Sequence, residues 1–381
     1  MKTVFLYGYY GCGNVGDDLL LSVVTKQVLD WSPDARVIIK CLNVPPVEGG
    51  DRIEFETCER ILADPALPRR VKVWRYSLRM WKALHGVSAL VFGGGTLFHA
   101  EKGSPVNLLL LLSVACMARL RGAHVYALGV GVTPLCGAIP RILMSALLLL
   151  SRDFAVRDAA SFECCQALAG RRRVRKTADL VFLADFPARA TKQAGGRVLG
   201  LTLASSAIRG QSGNDNNALR EIVRALNQLA EDGWTLRFLS FQELTVGNFR
   251  LSDSVVFESL KDAGLEANAA LIEVNSENAR LAEVFSDLDL VVGMRFHGLV
   301  MAAVSGIPFI GIGKDHKLSN LCAKYEFPFF SIDDLCGGKL IAAVKASKEK
   351  IPDPRITQEL QLAARANFQA FEDANLGTHV R

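Results

Sequence analysis

A chain of 381 residues is long enough for two domains, and its 50% of hydrophobic residues can bury a large core, which excludes a disordered protein. The net charge of +5 suits an acidic small molecule or a membrane surface. We expect no nucleic-acid partner, because the sequence carries no RNP, zinc-finger or helix-turn-helix signature.

Short apolar runs alternate with helical patterns along the first half of the chain, which predicts a parallel sheet covered on both faces. Helical patterns such as 18–31 and 108–120 separate most of these runs. The two leucine-rich stretches 106–120 and 142–150 are shorter than a membrane span, so both are predicted to be buried helices. A membrane-facing flank on these helices is a second option. The predicted strands are residues 3–7, 36–40, 88–92, 124–130 and 152–156.

The same alternation restarts after a polar stretch, residues 186–197, which is typical of an interdomain linker. The fold class predicted is therefore α/β, with two Rossmann-like doubly wound domains and a cleft between them. The domains are expected at 1–187 and 197–350, with 351–381 as a C-terminal helix packing back across them. The strands predicted in the second domain are residues 198–204, 235–241, 270–274, 288–293 and 308–312.

A glycine-rich loop follows the first strand, in the sequence GYYGCGNVGDD that ends at Asp18. Its G-x-G-x-x-G spacing is that of a dinucleotide-binding turn, but the second strand ends without the acidic residue that would bind a ribose. Asp17 and Asp18 would also repel a pyrophosphate, so we expect neither NAD nor NADP. Two interpretations stay open: a tight turn in which Asp17 or Asp18 caps the helix, or a site for a neutral ligand.

Other candidate residues follow later strands. The sequence FGGGTLFH ends in His99 and permits a close approach of its backbone to a ligand or to another loop. In the second domain, Arg295 and His297 stand between a strand and an apolar helix, where backbone N–H groups favour an anion. Lys314 and Lys317 follow the next strand, and Arg157 ends a strand of the first domain. These cations suggest a ligand with more than one negative charge, although a structural Arg–carboxylate pair remains an alternative.

Four motifs together resemble the polysaccharide pyruvyl transferase family, in particular its CsaB-type branch. They are the opening glycine loop, FGGGTLF, FAVRDAAS and GMRFHGLVMAAVSGIPFIGIGKDHK, in the family's order between residue 1 and about residue 330. The resemblance implies a GT-B-like architecture, with the N-terminal domain on the acceptor side and the C-terminal domain on the donor side. It also implies transfer of pyruvate from phosphoenolpyruvate to a sugar of a cell-wall or exopolysaccharide precursor, forming a cyclic ketal.

The resemblance and the residues together define the candidate site. His297 is the candidate general acid, because imidazole titrates near neutral pH, and Asp17 would orient or deprotonate an acceptor hydroxyl. The resemblance implies catalytic roles for Arg157, His297 and Lys317. Departures from the family stand at Cys12 and His99. The donor-binding candidates are Arg295, Gly298 and Lys314, and the acceptor-loop candidates are Tyr10, Asn14, Gly16, Asp18, Gly94, Gly95 and His99.

Two other functions fit the same architecture: a glycosyltransferase that uses a nucleotide sugar, and a non-catalytic binding protein. We expect no cofactor and no metal ion, because the nine cysteines form no C-x-x-C pair, and we expect reduced thiols in a cytoplasmic protein. No signal peptide is expected. The family's acceptors imply a polyprenyl-linked glycan, and the basic runs 69–72 and 171–176 suggest peripheral contact with the inner face of the plasma membrane.

Overall fold

The computed structural model of the protein describes residues 2–100, 104–170, 173–186, 197–204, 215–246, 249–274 and 278–376. The chain forms two compact units, each of which contains a short segment distant in sequence from the rest. The first comprises Met1–Cys12, Asp17–Ala184 and Leu360–Arg381, and the second comprises Gly13–Gly16 and Asp185–Glu359. Most of the predicted linker, residues 187–196, lies outside the described residues, as do residues 171–172 of the second basic run.

The first unit contains a parallel sheet of seven strands in the order β3-β2-β1-β4-β5-β6-β7. The order reverses direction after β1, so helices cover both faces, and the apolar strand interiors are buried on both sides. The strands are β1 Thr3–Tyr10, β2 Arg36–Cys41, β3 Ile53–Glu56, β4 Ala89–Gly93, β5 His124–Val130, β6 Ser151–Val156 and β7 Val174–Lys176.

One large core joins this sheet to its central helices, with Phe92, Met80, Leu111 and Leu147 among its fully buried members. The helices of this core present apolar side chains to the sheet on one side, as the 3.6-residue period allows. The helices are α1 Val15–Trp31, α2 Glu59–Ala63, α3 Arg69–Ala83, α4 Val106–Leu120, α5 Ala138–Leu150 and α6 Ala159–Ala169.

The second unit contains a parallel sheet of six strands in the order β12-β9-β8-β13-β14-β15, and an antiparallel pair, β10 with β11. The strands are β8 Val198–Thr202, β9 Thr235–Ser240, β10 Glu243–Val246, β11 Phe249–Ser252, β12 Ala269–Glu273, β13 Leu290–Gly293, β14 Phe309–Gly313 and β15 Phe329–Ser331. The helices are α7 Asp215–Glu231, α8 Ser254–Asp262, α9 Asn278–Ser286, α10 Phe296–Val304, α11 His316–Lys324 and α12 Gly337–Ser347.

The C-terminal residues form two helices, α13 Pro354–Arg365 and α14 Gln369–Leu376, where the sequence predicted one. A 3₁₀ turn at Ala366–Phe368 separates them. Asn367 explains the break, because its buried side-chain amide donates to the carbonyls of Ala364 (2.8 Å) and Ala178 (3.1 Å).

The ten strands predicted from the sequence are confirmed as β1, β2, β4, β5, β6, β8, β9, β12, β13 and β14. The missed strands are short and mostly at sheet edges or in the β10–β11 pair, where the apolar signal is weak. The two leucine-rich stretches are helices α4 and α5, but each also has exposed apolar side chains, such as Leu120 and Ile142. Within the described residues, none of the helices is both long and apolar enough to cross a membrane.

Candidate functional site

The turn between β13 and α10 carries the strongest candidate residues, and the end of β8 holds it in place. The Thr202 carbonyl accepts hydrogen bonds from the backbone N–H groups of Met294 (2.8 Å) and Arg295 (3.2 Å). A Cβ at Gly293 would lie 2.2 Å from Thr202 Oγ1, so this close approach requires glycine. The turn therefore places Arg295 directly before α10 and His297 in the first turn of that helix.

Gly298 has a related packing role. A Cβ there would meet the Thr202 side chain at 3.1 Å, which is tighter than most real contacts. Gly298 thus lets the first turn of α10 pack against the end of β8. Its backbone belongs to a helix N-terminus, where unpaired N–H groups attract anions.

The segment Gly13–Gly16 belongs to the second unit because it pairs with the chain around the start of β10. Gly13 accepts a hydrogen bond from the Glu243 N–H (2.8 Å), and the Val15 N–H donates to the Phe241 carbonyl (3.0 Å). A Cβ at Gly13 would lie 1.8 Å from the Glu243 carbonyl oxygen, so this pairing also requires glycine. The opening glycine loop thus contributes directly to the unit that contains His297.

Gly16 lies against the imidazole of His297. A Cβ at Gly16 would lie 1.8 Å from His297 Nδ1 and 2.5 Å from Cγ of the same ring. Because both atoms belong to a rigid ring, any side chain at this position must displace the imidazole. Gly16 therefore determines where the His297 ring sits.

Arg295 is engaged with a buried carboxylate. Its Nε donates to Asp253 Oδ2 at 3.0 Å, and its Nη2 contacts Asp253 Oδ1. Asp253 is fully buried and also accepts a hydrogen bond from the Phe241 N–H (3.2 Å). This bidentate geometry is the structural Arg–carboxylate pair that the sequence left open, and it leaves Nη1 of Arg295 available for further hydrogen bonds.

The two lysines after β14 are placed differently. Lys314 is exposed and forms an ion pair with Asp333 at 2.8 Å. Lys317 lies in the first turn of α11, whose N-terminus Asp315 caps by accepting from the Lys317 N–H at 3.0 Å. The Lys317 ammonium pairs with Asp315 and lies 5.8 Å from the ring centroid of Phe296. Lys317 therefore reaches the residue next to His297.

Asn14, rather than Asp17 or Asp18, occupies the N-cap position of α1. Its Oδ1 accepts from the Gly16 N–H at 3.1 Å, the expected hydrogen bond from an N-cap side chain to the second helical residue. Asp18 instead accepts from the Gly11 N–H at 2.7 Å. Its burial raises the pKa of Asp18 to about 7, although the Gly11 hydrogen bond opposes this increase.

The triple-glycine loop packs against the opening loop within the first unit. The hydroxyl of Tyr10, which is almost fully buried, donates to the Gly93 carbonyl at 2.6 Å. Gly94 and Gly95 both have left-handed backbone conformations, with φ of 68° and 70°. A Cβ at Gly95 would lie 3.1 Å from Asp17 Oδ1, so the half-buried Asp17 carboxylate lies beside this loop. Tyr10 is a structural link between the two loops.

Arg157 directly follows β6, at the same side of the sheet as the triple-glycine loop. Its guanidinium is 4% exposed, pairs with Asp179 at 2.8 Å and donates to Thr96 Oγ1 at 2.6 Å. Thr96 follows Gly95 in the chain, so Asp17 and Arg157 approach the two neighbouring residues of one loop. His99, three residues further on, hydrogen bonds through Nε2 to the Tyr9 hydroxyl at 2.7 Å.

The candidate residues thus form two groups. In the second unit, Gly16, His297, Arg295 and Lys317 surround the N-terminus of α10. In the first unit, Asp17, Asp18, Tyr10, Gly94, Gly95 and Arg157 surround the two glycine loops. Thr202 and Asp253, which hold the α10 turn, carry no signal in the sequence, because only tertiary pairing reveals their role. Across the described residues, no group of three His, Cys, Asp or Glu side chains is arranged to hold a metal ion.

Comparison with known proteins gives a family and a fold. The family model described as polysaccharide pyruvyl transferase matches residues 14–316. No curated protein matches the sequence.

Solved structures with a similar fold span almost the whole chain. The UDP-GlcNAc 2-epimerase from Neisseria meningitidis bound to UDP-GlcNAc has a TM-score of 0.58 and 11% identity, covering 97% of this chain and 99% of its own. The UDP-GlcNAc 2-epimerase of Methanocaldococcus jannaschii, in complex with UDP-GlcNAc and UDP, has a TM-score of 0.58 and 12% identity, and the match covers 97% of this chain and 100% of the epimerase. The lipopolysaccharide outer core galactosyltransferase WaaB in its apo form has a TM-score of 0.52 and 13% identity, and the match covers 99% of this chain and 100% of WaaB. At these identities the likeness shows the fold alone, which is GT-B-like.

Proposed function

Because the chain belongs to the polysaccharide pyruvyl transferase family, and is therefore a transferase, we propose that it moves pyruvate from phosphoenolpyruvate to a sugar of a cell-wall or exopolysaccharide precursor. The product is a cyclic pyruvate ketal, and phosphate is released. The observation that carries this proposal is the position of the His297 imidazole, held against Gly16 at the N-terminus of α10.

The donor in this proposal is a small molecule with two anionic groups. Phosphoenolpyruvate carries a carboxylate and a phosphate, and the N-terminus of α10 offers backbone N–H groups that favour such anions. Lys317 adds a positive charge near Phe296, and Arg295 keeps free N–H donors beyond its pair with Asp253. Lys314, exposed and paired with Asp333, would help only at the periphery.

The chemical step begins with a proton. His297 donates it to C3 of the enol, so that C2 becomes electrophilic, and one sugar hydroxyl adds to C2. The bond from C2 to the phosphate oxygen then breaks, phosphate leaves, and a second sugar hydroxyl closes the ketal ring. Each hydroxyl loses one proton: one of these restores His297, and the other goes to the oxygen of the departing phosphate.

The residues of the first unit would serve the acceptor. Asp17, half-buried beside Gly95, would orient or deprotonate a sugar hydroxyl. Asp18 would shape the same loop, since its carboxylate accepts from the Gly11 N–H. Asn14, which belongs to the second unit, accepts from the Gly16 N–H. The resemblance also assigns Arg157 to catalysis. Its pairing with Asp179 makes it a fixed cation whose orientation is set before any ligand binds.

The acceptor proposed is a polyprenyl-linked glycan, met by a cytoplasmic enzyme at the inner face of the plasma membrane. Phosphoenolpyruvate serves as co-substrate, and no cofactor or metal ion is part of the proposal. A nucleotide-sugar glycosyltransferase is the second candidate, favoured by one observation, the GT-B-like fold that the chain shares with galactosyltransferase WaaB.

The test is a direct assay of the two reactions. The purified protein is incubated with phosphoenolpyruvate labelled with ¹³C at C2 and with glycan acceptors extracted from the source cells. Phosphate release with a new ketal-carbon resonance supports the proposal. Release of a nucleoside diphosphate from a nucleotide sugar, with no ketal, would establish the second candidate. If neither product forms, the remaining candidate is a non-catalytic binding protein.

A further inference from the structure

Helices α3, α4 and α5 expose an unusual number of large apolar side chains on the outer side of the first unit. Of the fourteen exposed large hydrophobic residues found within the described residues, ten lie on these three helices. Trp74 is 65% exposed and Ile142 is also 65% exposed. We call this surface the apolar face; it consists of Val73, Trp74, Leu78, Trp81, Val106, Leu109, Leu120, Ile139, Ile142 and Leu149.

The apolar face is the side of these helices that the core does not use. Tyr76 and Met80 of α3, Leu111 of α4 and Leu147 of α5 are buried in the core of the first unit. At 100° per residue, Val73, Trp74, Leu78 and Trp81 fall within about 140° of one another on α3, next to the buried side. An ordinary helix of an α/β protein is polar there, so the face needs another explanation.

Helix α3 is also strongly basic. It carries six cations and no acidic residue, and all of the cations except the half-buried Lys72 are exposed. Arg79 pairs with Glu56 at 2.9 Å, which leaves a large excess of positive charge along the helix. Near its end, the Arg121 guanidinium stacks on the Trp81 ring at 4.0 Å from the centroid. The cations of α3 are Arg69, Arg70, Lys72, Arg75, Arg79 and Lys82.

We propose that the apolar face of α3–α5, with the cations of α3, is a docking surface for an anionic lipid bilayer. Charge complementarity selects this occupant, because lysines and arginines beside an apolar stripe match acidic headgroups above acyl chains. Exposed tryptophans at such a boundary place their apolar ring and polar N–H at the headgroup level. In the other basic run, Arg175 is instead paired with Asp153.

This surface would bring the enzyme to a lipid-linked acceptor, and in that respect the inference rests on the proposed function. The binding experiment itself uses no substrate. Failure of pyruvyl transfer and failure of membrane docking are therefore distinguishable.

Tryptophan fluorescence provides a direct readout, because the chain has four tryptophans and only two lie on the apolar face. The other two are Trp31, which packs against Phe371, and Trp234, which is buried. Vesicles with 30% acidic phospholipid are expected to shift the emission to shorter wavelength. The shift should persist in Trp31→Phe and disappear in Trp74→Phe/Trp81→Phe, where binding itself remains measurable by co-sedimentation.

Affinity is measured with matched variants of the exposed surface. Trp74→Ser/Leu78→Ser should weaken co-sedimentation with acidic vesicles by roughly tenfold or more, because each removes apolar area from the membrane contact. Arg70→Gln and Arg75→Gln should each weaken binding to acidic vesicles by about fivefold, which is the contribution expected from one basic residue near an acidic membrane surface. The control Ile351→Ser, an equally exposed apolar site in the second unit, should leave binding unchanged.

Three outcomes would overturn the proposal: equal binding to zwitterionic and acidic vesicles, no fluorescence shift from Trp74 and Trp81, or loss of binding in the Ile351→Ser control. A fourth is a dimer in solution that becomes a monomer in Trp74→Ser/Leu78→Ser without any vesicle binding. That result would assign the apolar face to a second copy of this chain.

Discussion

At the scale of single residues, the imidazole of His297 is the group whose removal should separate chemistry from binding. In His297→Gln the side chain keeps a hydrogen-bond donor but has no titratable proton. We expect phosphoenolpyruvate affinity to stay within a few-fold while turnover falls by about 10²–10⁴. Calorimetric titration and timed phosphate release measure the two quantities. Substantial turnover in His297→Gln would mean that another group supplies the proton.

Lys317 should show the opposite pattern. Lys317→Met removes a charge but keeps a stem of similar length, so the contact with Phe296 remains possible. Loss of a charge-assisted contact is expected to weaken donor binding by roughly 10- to 150-fold. Lys314→Met serves as the control, since Lys314 is 63% exposed and pairs with Asp333. Equal losses in both variants would argue for a general charge effect rather than a contact.

Gly16 provides a steric test of the same imidazole. Gly16→Ala puts a methyl group 1.8 Å from the present position of His297 Nδ1, so the ring must move and turnover should fall by at least about tenfold. The helix itself should gain up to about 1 kcal/mol, because alanine is the better helix former. Turnover and the thermal midpoint of unfolding are measured for Gly16→Ala and for the native protein.

The control for Gly16 is Gly338→Ala, also in a helix, where a Cβ would meet nothing within 4 Å. It should leave turnover unchanged. In a His297→Ala background, Gly16→Ala should cost nothing further, since the clash no longer exists. Full activity in Gly16→Ala would disprove the role of this contact.

Asp18 makes stability depend on pH. Burial raises its pKa in the folded state to about 7, whereas the unfolded carboxyl has its ordinary value near 3.8. Between about pH 4 and 7 the native state holds one proton more, so stability falls as pH rises, by at most about 1.4 kcal/mol per pH unit. Asp18→Asn keeps an oxygen that accepts from the Gly11 N–H but carries no charge.

The thermal midpoint of Asp18→Asn, relative to the native protein, should therefore increase between pH 5 and pH 8. Asp51→Asn, at an exposed carboxyl, should show a constant difference over the same range. A constant difference for Asp18→Asn as well would show that the carboxyl is ionised in the folded state throughout.

At the scale of elements, the pair Arg295–Asp253 connects the α10 turn to the N-terminus of α8. Arg295→Met leaves the fully buried Asp253 without its cation, which should destabilise the protein by about 3–5 kcal/mol. The double variant Arg295→Met/Asp253→Leu removes both charges and should recover much of that loss. Urea unfolding of the native protein, the single variants and the double variant measures the coupling.

The same variants decide whether Arg295 also binds the donor. If it does, the double variant will recover stability but not phosphoenolpyruvate affinity. Recovery of both would reduce Arg295 to a structural residue, and the donor site would then depend on Lys317 and the helix N-terminus.

At the scale of the whole molecule, the GT-B-like fold is shared with proteins solved in complex with UDP-GlcNAc, so the fold alone does not select the ligand. The loop segment Gly13–Gly16 is used for pairing within the second unit and for packing against His297 rather than for an open phosphate turn. We therefore expect micromolar to millimolar binding of phosphoenolpyruvate and none of NAD, NADP or UDP. Calorimetry with all four compounds tests this, and micromolar binding of NAD would refute the interpretation of the loop.

The sequence by itself determined the α/β alternation, ten of the strands and the family. These signals are local: a strand shows as a short buried run and a helix as a 3.6-residue period, and both follow from backbone geometry. The motif around Arg295 and His297 was likewise readable, because a polar residue pair between a buried strand and an apolar helix stands out along the chain.

Only the tertiary structure decided what those residues touch. It assigned Gly13–Gly16 to the second unit, put Gly16 against His297, paired Arg295 with Asp253 and Arg157 with Asp179, and left the outer side of α3 exposed. Asn14 took the cap that one of the two open interpretations had given to Asp17 or Asp18. The physical reason is separation along the chain: Gly16 and His297 are far apart in the sequence and meet only in the folded structure, and packing rather than local propensity selects the partner of each buried charge.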